Sequence, residues 1–398
     1  MKLQLRLIPS NNRFDNTLFM ATLLYILDYY LPHKWGVETV FEQIINRSLK
    51  EWYKVIVLTS WYDKKLKKED MDKNLTIIRT WWSRKSFVWH WFFEWRKVLK
   101  GNPDIIGIHT STYWWAIPAS LLGLIHNKKV LLTVHEIFWK LRNRYKPFYS
   151  AWIYRLFEWF IFQLHFDFYH CVSSYTLNSL RVYYWIPDKK LFLAHNGVDY
   201  DFWDKKKVTK DETKSIKERF WLENKWNLLY FGHTWISKGI DLLVDAVPKL
   251  LEQEKELQII FNFIPAKRDS YIKERLQSIL HKLPVKERWR VKIWNWLSKN
   301  ELRALVANVD WVIAPSLSEG FWSVHTETLA LGTPLITTYV ASLPEVVWWS
   351  VIFFAPDNKE DLCKAVHKLK TWDYKKIEEK HFSWDEQYNK LLEWYKTL

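Results

Sequence analysis

The sequence predicts an α/β protein of two doubly wound domains, each a mostly parallel sheet between layers of helix, and three observations carry this reading. Short β-branched or aliphatic runs alternate with longer amphipathic stretches along the whole chain, the rhythm of strands and crossover helices. The length, 398 residues, exceeds one ordinary domain. A stretch rich in Lys, Asp and Thr, Asp199–Lys217, has no apolar periodicity and divides the runs into two sets.

The first set of expected strands is Leu23–Asp28, Lys54–Thr59, Leu75–Arg79, Asp104–His109, Val130–His135, Phe168–Ser173 and Leu191–Ala194. The second is Asn227–Gly232, Leu257–Phe263, Arg290–Ile293, Val309–Ala314, Pro334–Thr338 and Val351–Phe354. Residues 1–200 then form one Rossmann-like domain and 201–382 another, with Asp199–Lys217 as the linker region. The segment 383–398 reads as one amphipathic helix carrying Tyr388, Leu391, Leu392 and Tyr395. Ligands of such sheets sit beyond the carboxyl ends of the strands, so the expected site is the cleft where the two domains face each other.

Composition narrows the function classes. At 48% hydrophobic and 26% charged residues, the chain is too apolar for disorder. The two cysteines, Cys171 and Cys363, exclude a disulfide framework and a four-cysteine zinc site, and suit a reducing compartment. The longest apolar runs, such as Trp114–Ile125, fall short of the roughly 18–20 residues that span a bilayer. Lys2, Arg6, Asn11, Arg13 and Asp15 break up the apolar positions of the first twenty residues, unlike a secretory signal. The expectation is a cytoplasmic protein. Charge is lopsided: 28 basic and 16 acidic residues fall in 1–200, a surplus of 12, against 31 and 28 in 201–398, a surplus of 3. The basic half is the expected partner of an anionic surface.

The richest stretch for chemistry is Ala314–Ile336. A strand should end at Ala314, a loop carry Glu319, Gly320 and Phe321, and a helix begin near Trp322 and run to about Leu331. Free N–H groups at a helix start, backed by the helix dipole, form an anion site. Glu319 just before the helix and Glu327 within it can accept hydrogen bonds from sugar hydroxyls on either side of a phosphate held there. The plain alternative is two solvated or capping glutamates. In Leu229–Asp241 a strand should end at Gly232 and a helix start after Lys238, which sets His233 and Lys238 beside a second helix start. Alone, Lys238 would be a solvated surface lysine.

Together these residues resemble glycosyltransferase family 4, retaining enzymes of the two-domain GT-B fold. The resemblance runs over nearly the whole chain: His33–Glu38, Thr133–Glu136, Asn196–Asp199, residues 232–239, Glu319 and Glu327 with seven residues between them, and Leu343-Pro344-Glu345. It implies a C-terminal helix that crosses back to the first domain. It also implies transfer of a hexose from a nucleoside diphosphate sugar to an acceptor hydroxyl of a sugar or a lipid-linked glycan, with retention, without metal or cofactor, in cell-surface glycan or glycolipid synthesis.

By the same resemblance, Glu327 binds the ribose hydroxyls and Glu319 holds hydroxyls of the transferred sugar. Lys238 neutralises the departing diphosphate, and His233 stands where the family usually has arginine. Gly36 belongs to the loop over the donor phosphates, while Gly232, Gly320, Phe321, Trp322 and Ser323 line the donor site. His135 faces the sugar across the cleft, or is simply a hydrogen-bonded histidine at a strand end. Glu345 is read as stabilising the start of its own helix, and Asn196-Gly197 as a turn. Asp70-Met71-Asp72 lies in the run Lys64–Lys73, which reads as a solvated charged turn before it reads as a metal site.

Other classes stay open: a GT-B sugar-nucleotide epimerase, or a non-catalytic module docking on membrane through the basic half. Nucleic acid is not an expected partner, since no RNA-binding aromatic motif is visible. Phe87–Lys100 and Pro147–His170 mix aromatics with basic residues, as buried helix faces or as an interfacial membrane surface would. In the membrane reading the protein sits on the inner face of the cytoplasmic membrane.

Tryptophan is anomalous. The chain has 28 Trp and 9 Gly, where about 7% Gly would give roughly 28. Trp35, Trp185, Trp221, Trp235, Trp322, Trp348 and Trp349 stand where turns or helix exits call for glycine. This pattern is expected if the organism decodes UGA as glycine and the sequence renders it as tryptophan. The opposing expectation is a genuinely Trp-rich protein of the membrane surface.

Overall fold

A computed structural model describes residues 21–33, 36–80, 95–112, 114–138, 148–222, 226–264, 269–295, 297–321, 323–371 and 375–398. Its first sheet has eight strands: β1 (Thr22–Ile26), β2 (Lys54–Ser60), β3 (Glu69–Asp72), β4 (Leu75–Thr80), β5 (Ile105–Ser111), β6 (Lys129–Val134), β7 (Phe168–Cys171) and β8 (Leu191–Leu193). They lie in the order β3-β4-β2-β1-β5-β6-β7-β8, all neighbours parallel except the edge pair β3 and β4. Parallel strands are covered on both faces, so their runs are apolar without interruption, yet the side-chain period of two still sorts them. Leu24, Ile26 and Ile108 join one core with Trp95 and Leu122, while Leu23, Tyr25 and Val57 join the other with Phe41 and Ile44.

Helices α1 (Gly36–Lys50), α2 (Ala116–His126), α3 (Phe148–Phe162) and α4 (Ser174–Tyr184) accompany this sheet. The second sheet comprises β9 (Trp226–His233), β10 (Leu257–Ile264), β11 (Val291–Asn295), β12 (Trp311–Ala314), β13 (Leu335–Thr338), β14 (Trp349–Phe354) and β15 (Lys375–Ile377), in the order β11-β10-β9-β12-β13-β14-β15. Only β15 runs antiparallel. The order reverses between β9 and β12, which are direct neighbours, so the crevice at their carboxyl ends is the topological switch point. Around this sheet lie α5 (Lys210–Phe220), α6 (Ile240–Gln253), α7 (Asp269–His281), α8 (Val285–Arg288), α9 (Lys299–Asn308), α10 (Ser323–Ala330), α11 (Leu343–Val346) and α12 (Lys359–His367).

The last helix, α13 (Trp384–Tyr395), packs with α1 in the first domain, burying Tyr388, Leu391, Trp394 and Tyr395 there. Its polar anchor is Tyr395, whose hydroxyl sits 2.9 Å from that of Tyr25 and 2.8 Å from His109 Nδ1. Buried hydroxyl and imidazole groups satisfied in this way fix one register for the helix. The return crossing runs beside the outward one: Val198 N–H donates to Phe382 O at 2.9 Å, and Gln387 Nε2 to Asn196 Oδ1 at 2.7 Å.

Several sequence expectations change here. Asp199–Lys217 is not bare linker, because α5 begins within it behind a Thr209/Glu212 capping box and buries Ile216 and Phe220. Two apolar residues four apart were too few to show periodicity. The charged turn Lys64–Lys73 contains edge strand β3, where Asp70 is paired with Arg79. Gly197 is needed less for a turn than for proximity, since a Cβ there would strike the backbone of Trp384. Of Phe87–Lys100, residues 87–94 lie outside the described residues, while Trp95 and Leu99 are core.

The tryptophans divide. Trp52, Trp185 and Trp221 have φ of 64°, 54° and 49°, and the last two are the left-handed C-caps of α4 and α5. They make three of seven non-glycine residues with positive φ among those described, though Trp is only 28 of 398 residues. A bulky side chain in this conformation is strained, whereas glycine is its ordinary occupant. These residues are 75%, 75% and 60% exposed, and among the described residues only the Trp221 ring has a close cation, Lys292 Nζ at 4.0 Å. Trp348 differs: it is buried in the second-domain core against Phe382. Trp35 and Trp322 lie outside the described residues.

Candidate active site

The carboxyl ends of β9 and β12 deliver the two charged groups of the site. After β9 the chain makes a single tight turn, Ile236–Lys238, and Gly239 adopts φ +65° before α6. A Cβ on Gly239 would collide with the Pro315 carbonyl oxygen, so glycine lets this turn press against the loop after β12. As a result Lys238 Nζ reaches both carboxylate oxygens of Glu319, at 3.0 and 2.9 Å. Both side chains are buried. A buried charge without a partner is very costly, and here each compensates the other. Ser316 Oγ also donates to Glu319 at 2.6 Å. Burial pushes the Glu319 carboxyl upward, and Lys238 and Ser316 pull it back, leaving it above the ordinary value.

The first domain closes on this pair. Gly320 lies so near the end of β6 that a Cβ there would overlap the carbonyl oxygen of His135. Ser318 Oγ donates to Glu136 Oε1 across the same contact. Burial raises the Glu136 carboxyl to about 7, opposed by Lys238 and by the Ser318 hydrogen bond. His135 is held neutral, its pKa lowered to about 3 by burial and by nearby His170. Its Nε2 is buried with no protein hydrogen-bond partner among the described residues. Neutral imidazole can therefore exchange a hydrogen bond with a hydroxyl but carries no charge there.

Lys238, Glu319 and Gly320 thus meet the backbone of His135 and the side chain of Glu136 at one place, while the His135 ring itself lies against Phe41, with centroids 5.9 Å apart. Glu327, on α10, faces another group: Trp203 donates a hydrogen bond to it, and Lys299 and Asp199 lie near. Burial raises its carboxyl to about 7, with Lys299 opposing. His233 ends β9, buried and stacked on Trp235 at 4.6 Å, just beyond Gly232 with φ +144°. Ser323 begins α10, and Phe321 lies edge-on to Phe382 at 5.2 Å. Gly36 begins α1. Glu345 does not serve its own helix: it accepts Ser174 N–H at 2.7 and 2.8 Å and Tyr175 N–H at 3.3 Å at the start of α4, and lies 2.5 Å from His195 Nε2. A second-domain carboxylate therefore caps a first-domain helix.

Sequence reasoning passed over Glu136, Ser316, Ser318 and this use of Glu345. Glu136 had a signal, a carboxylate directly after His135 at a strand end. The serines had none, because small hydroxyls in a loop look like turn residues. Among the described residues no three His, Cys, Asp or Glu side chains are grouped to hold a metal, and no helix is long and apolar enough to cross a membrane.

The profile of Glycosyltransferase Family 4 matches residues 36–202, and that of Glycosyl transferases group 1 matches 225–371. An uncharacterized glycosyltransferase of Methanocaldococcus jannaschii is 24% identical over 221 residues, 53% of this chain and 55% of that protein. The chain spans about half the length of that relative. The gpi3 subunit of phosphatidylinositol N-acetylglucosaminyltransferase from Schizosaccharomyces pombe is 21% identical over 90% of this chain and 77% of its own. Among solved structures, Anabaena Alr3699/HepE in complex with UDP and glucose superposes with a TM-score of 0.70 at 14% identity, over 95% of this chain and all of that one. With both halves matched and the two-domain GT-B architecture present, the chain belongs to glycosyltransferase family 4.

Proposed function

We propose that the protein is a retaining, metal-independent hexosyltransferase that moves a sugar from a nucleoside diphosphate donor to a hydroxyl of a sugar or lipid-linked glycan at the cytoplasmic face of a membrane. The observation that carries this reading is the buried Lys238–Glu319 pair set against the His135 backbone and the Glu136 side chain of the opposite domain. In transfer, the bond between anomeric carbon and diphosphate breaks with its electrons leaving on the diphosphate. The acceptor oxygen forms the new bond, and its proton passes to the departing phosphate. The transition state resembles an oxocarbenium ion beside a dianionic leaving group. Lys238 and the N–H groups at the start of α10 stabilise that leaving charge, which is preorganised electrostatics rather than covalent catalysis.

Glu319 accepts hydrogen bonds from hydroxyls of the transferred sugar, and Glu327 from the ribose. His135 offers Nε2 to a sugar hydroxyl from the first domain. His233, Gly232, Gly36, Gly320, Phe321 and Ser323 surround the donor. Support comes from the convergence of charge at the switch point and from relatives that carry glycosyltransferase activities in their names. A panel of UDP-, GDP- and ADP-sugars, read by release of nucleoside diphosphate with and without EDTA, tests the reading. Turnover unaffected by EDTA and a product of retained configuration are expected. Conversion of the donor sugar without any acceptor would favour an epimerase, and affinity for none of these donors would favour a binding module.

A further inference from the structure

The first-domain helices α2 and α3 cover one sheet face side by side. Ala119 and Leu122 of α2 and Ile161 and Phe162 of α3 enter the same core as Ile108, Val130 and Leu132. The rings of Trp114, just before α2, and Phe157 of α3 are 4.3 Å apart. With the inner faces already filled, the outer faces should be polar, and they are not. On α3, Tyr149, Ile153, Leu156 and Phe160 recur at helical spacing and are exposed, Ile153 to 60%. On α2, Leu121, Leu124 and Ile125 do the same, Leu124 to 54%. Trp152 and Trp159 are exposed beside this stripe, but its Tyr, Ile, Leu and Phe members stand whatever the tryptophan codons encode. Isolated exposed apolar residues are common, but two adjacent helical stripes form a contiguous patch.

Charge identifies the occupant. Neither outer face carries a carboxylate: α2 has none, and the one acid of α3, Glu158, is buried and bonded to Tyr184 Oη and Phe138 N–H. At the end of α2 a basic group gathers. His126 there is driven below its usual pKa first by burial, then by Arg96, Lys100 and Lys128. An apolar face rimmed by cations and free of acids matches the interfacial layer of an anionic bilayer, where cations meet headgroups and apolar side chains enter the acyl boundary.

We propose that the outer face of α2 and α3 inserts into the surface of an anionic lipid membrane and holds the cleft at that surface. This deepens the lipid-linked acceptor reading and depends on it for purpose, not for geometry. The test is flotation of the full chain with phosphatidylcholine vesicles with and without phosphatidylglycerol, with nucleoside diphosphate binding measured on the same samples. The wild type should float with the anionic vesicles and lose binding as salt is raised. The variant Ile153→Ser/Leu156→Ser/Phe160→Ser should partition about tenfold less or weaker, with an unchanged unfolding midpoint, since these side chains leave the core intact. Arg96→Gln/Lys100→Gln/Lys128→Gln should lose about tenfold on anionic vesicles only.

Equal flotation of the apolar variant, or no flotation by a wild type that binds nucleoside diphosphate, overturns the proposal. So does a concentration-dependent dimer that the apolar variant converts to monomer, which would make this face a contact between copies. Loss of nucleotide binding with flotation intact would instead sink the enzymatic reading and leave the membrane surface standing.

Discussion

Glu345 of the second domain accepts the backbone N–H of Ser174 at 2.7 Å, and so caps a helix of the first domain. Ser173 takes care of Thr176 N–H at the same helix start, so the first-turn donors are shared between a local cap and a cross-domain one. Burial pushes the Glu345 carboxyl up, but the His195 and Ser174 hydrogen bonds outweigh it and hold it below the ordinary value. Glu345→Ala should cost about 2–3 kcal/mol of stability and separate the unfolding of the two domains. Denaturant unfolding checks this; a single unshifted transition would count against the cross-domain role.

Gly320 admits no side chain where the second-domain loop meets His135. In Gly320→Ala the Cβ must push the two domains apart at the proposed reacting centre, and misplacement on the scale of an ångström costs about a hundredfold in rate. The expected result is a fall in kcat of that order with a fall in the unfolding midpoint no larger than that of Glu345→Ala, because the clash lies between domains rather than within a core. Steady-state kinetics with calorimetry decides it. A variant with wild-type kcat would show that the cleft need not close at this point.

Glu136 links pH to stability with a definite sign. Its folded value is about 7, above the ordinary 4.5. Folding therefore favours the protonated carboxyl, and its contribution is fully present below about 4.5 and lost as pH rises through 7. Gln mimics the protonated form. Glu136→Gln should gain on the wild type across that window, by up to about 3 kcal/mol. Comparing the two proteins at each pH cancels the opposite trend from Glu345. A difference independent of pH would contradict the buried, uncharged reading of Glu136.

Trp185 and Trp221 hold positive φ at helix C-caps with exposed indoles. Relief of left-handed strain, partly offset by the looser unfolded chain of glycine, should make Trp185→Gly stabilising by about 1 kcal/mol, and Trp221→Gly less so because it also loses the Lys292 cation over the ring. Thermal unfolding measures the gain. UGA at codons 52, 185 and 221 is the matching genetic expectation, and UGG there would contradict it. Trp348, buried, should behave oppositely and destabilise on truncation.

Most of the architecture was legible because parallel strands announce themselves as apolar runs, as in Leu228–Phe231 and Leu257–Phe263. The short antiparallel edges β3 and β15 were not, since both are polar where the apolar edge β8 was read: β3 is Glu69–Asp72, mostly acidic, and β15 begins with Lys375-Lys376. The pairing of Lys238 with Glu319 was legible only through motif order. Eighty residues separate them, and nothing local to either reports the contact of Gly239 with Pro315 that sets them together. Glu345 was assigned to its own helix because sequence shows a carboxylate near a helix start, but not whose helix it faces.

The central claim is that β9 and β12 bring Lys238 and the Glu319–Glu327 segment to one diphosphate-sugar site. Calorimetric titration of the wild type, Lys238→Ala and Glu327→Ala with UDP, GDP and ADP tests it most directly, alongside unfolding midpoints to confirm folded protein. The account predicts saturable binding of at least one nucleotide, weakened about tenfold to a hundredfold by each substitution, or roughly 1.4–2.8 kcal/mol. Saturable binding that is indifferent to both substitutions, or none to any of the three nucleotides, would contradict it.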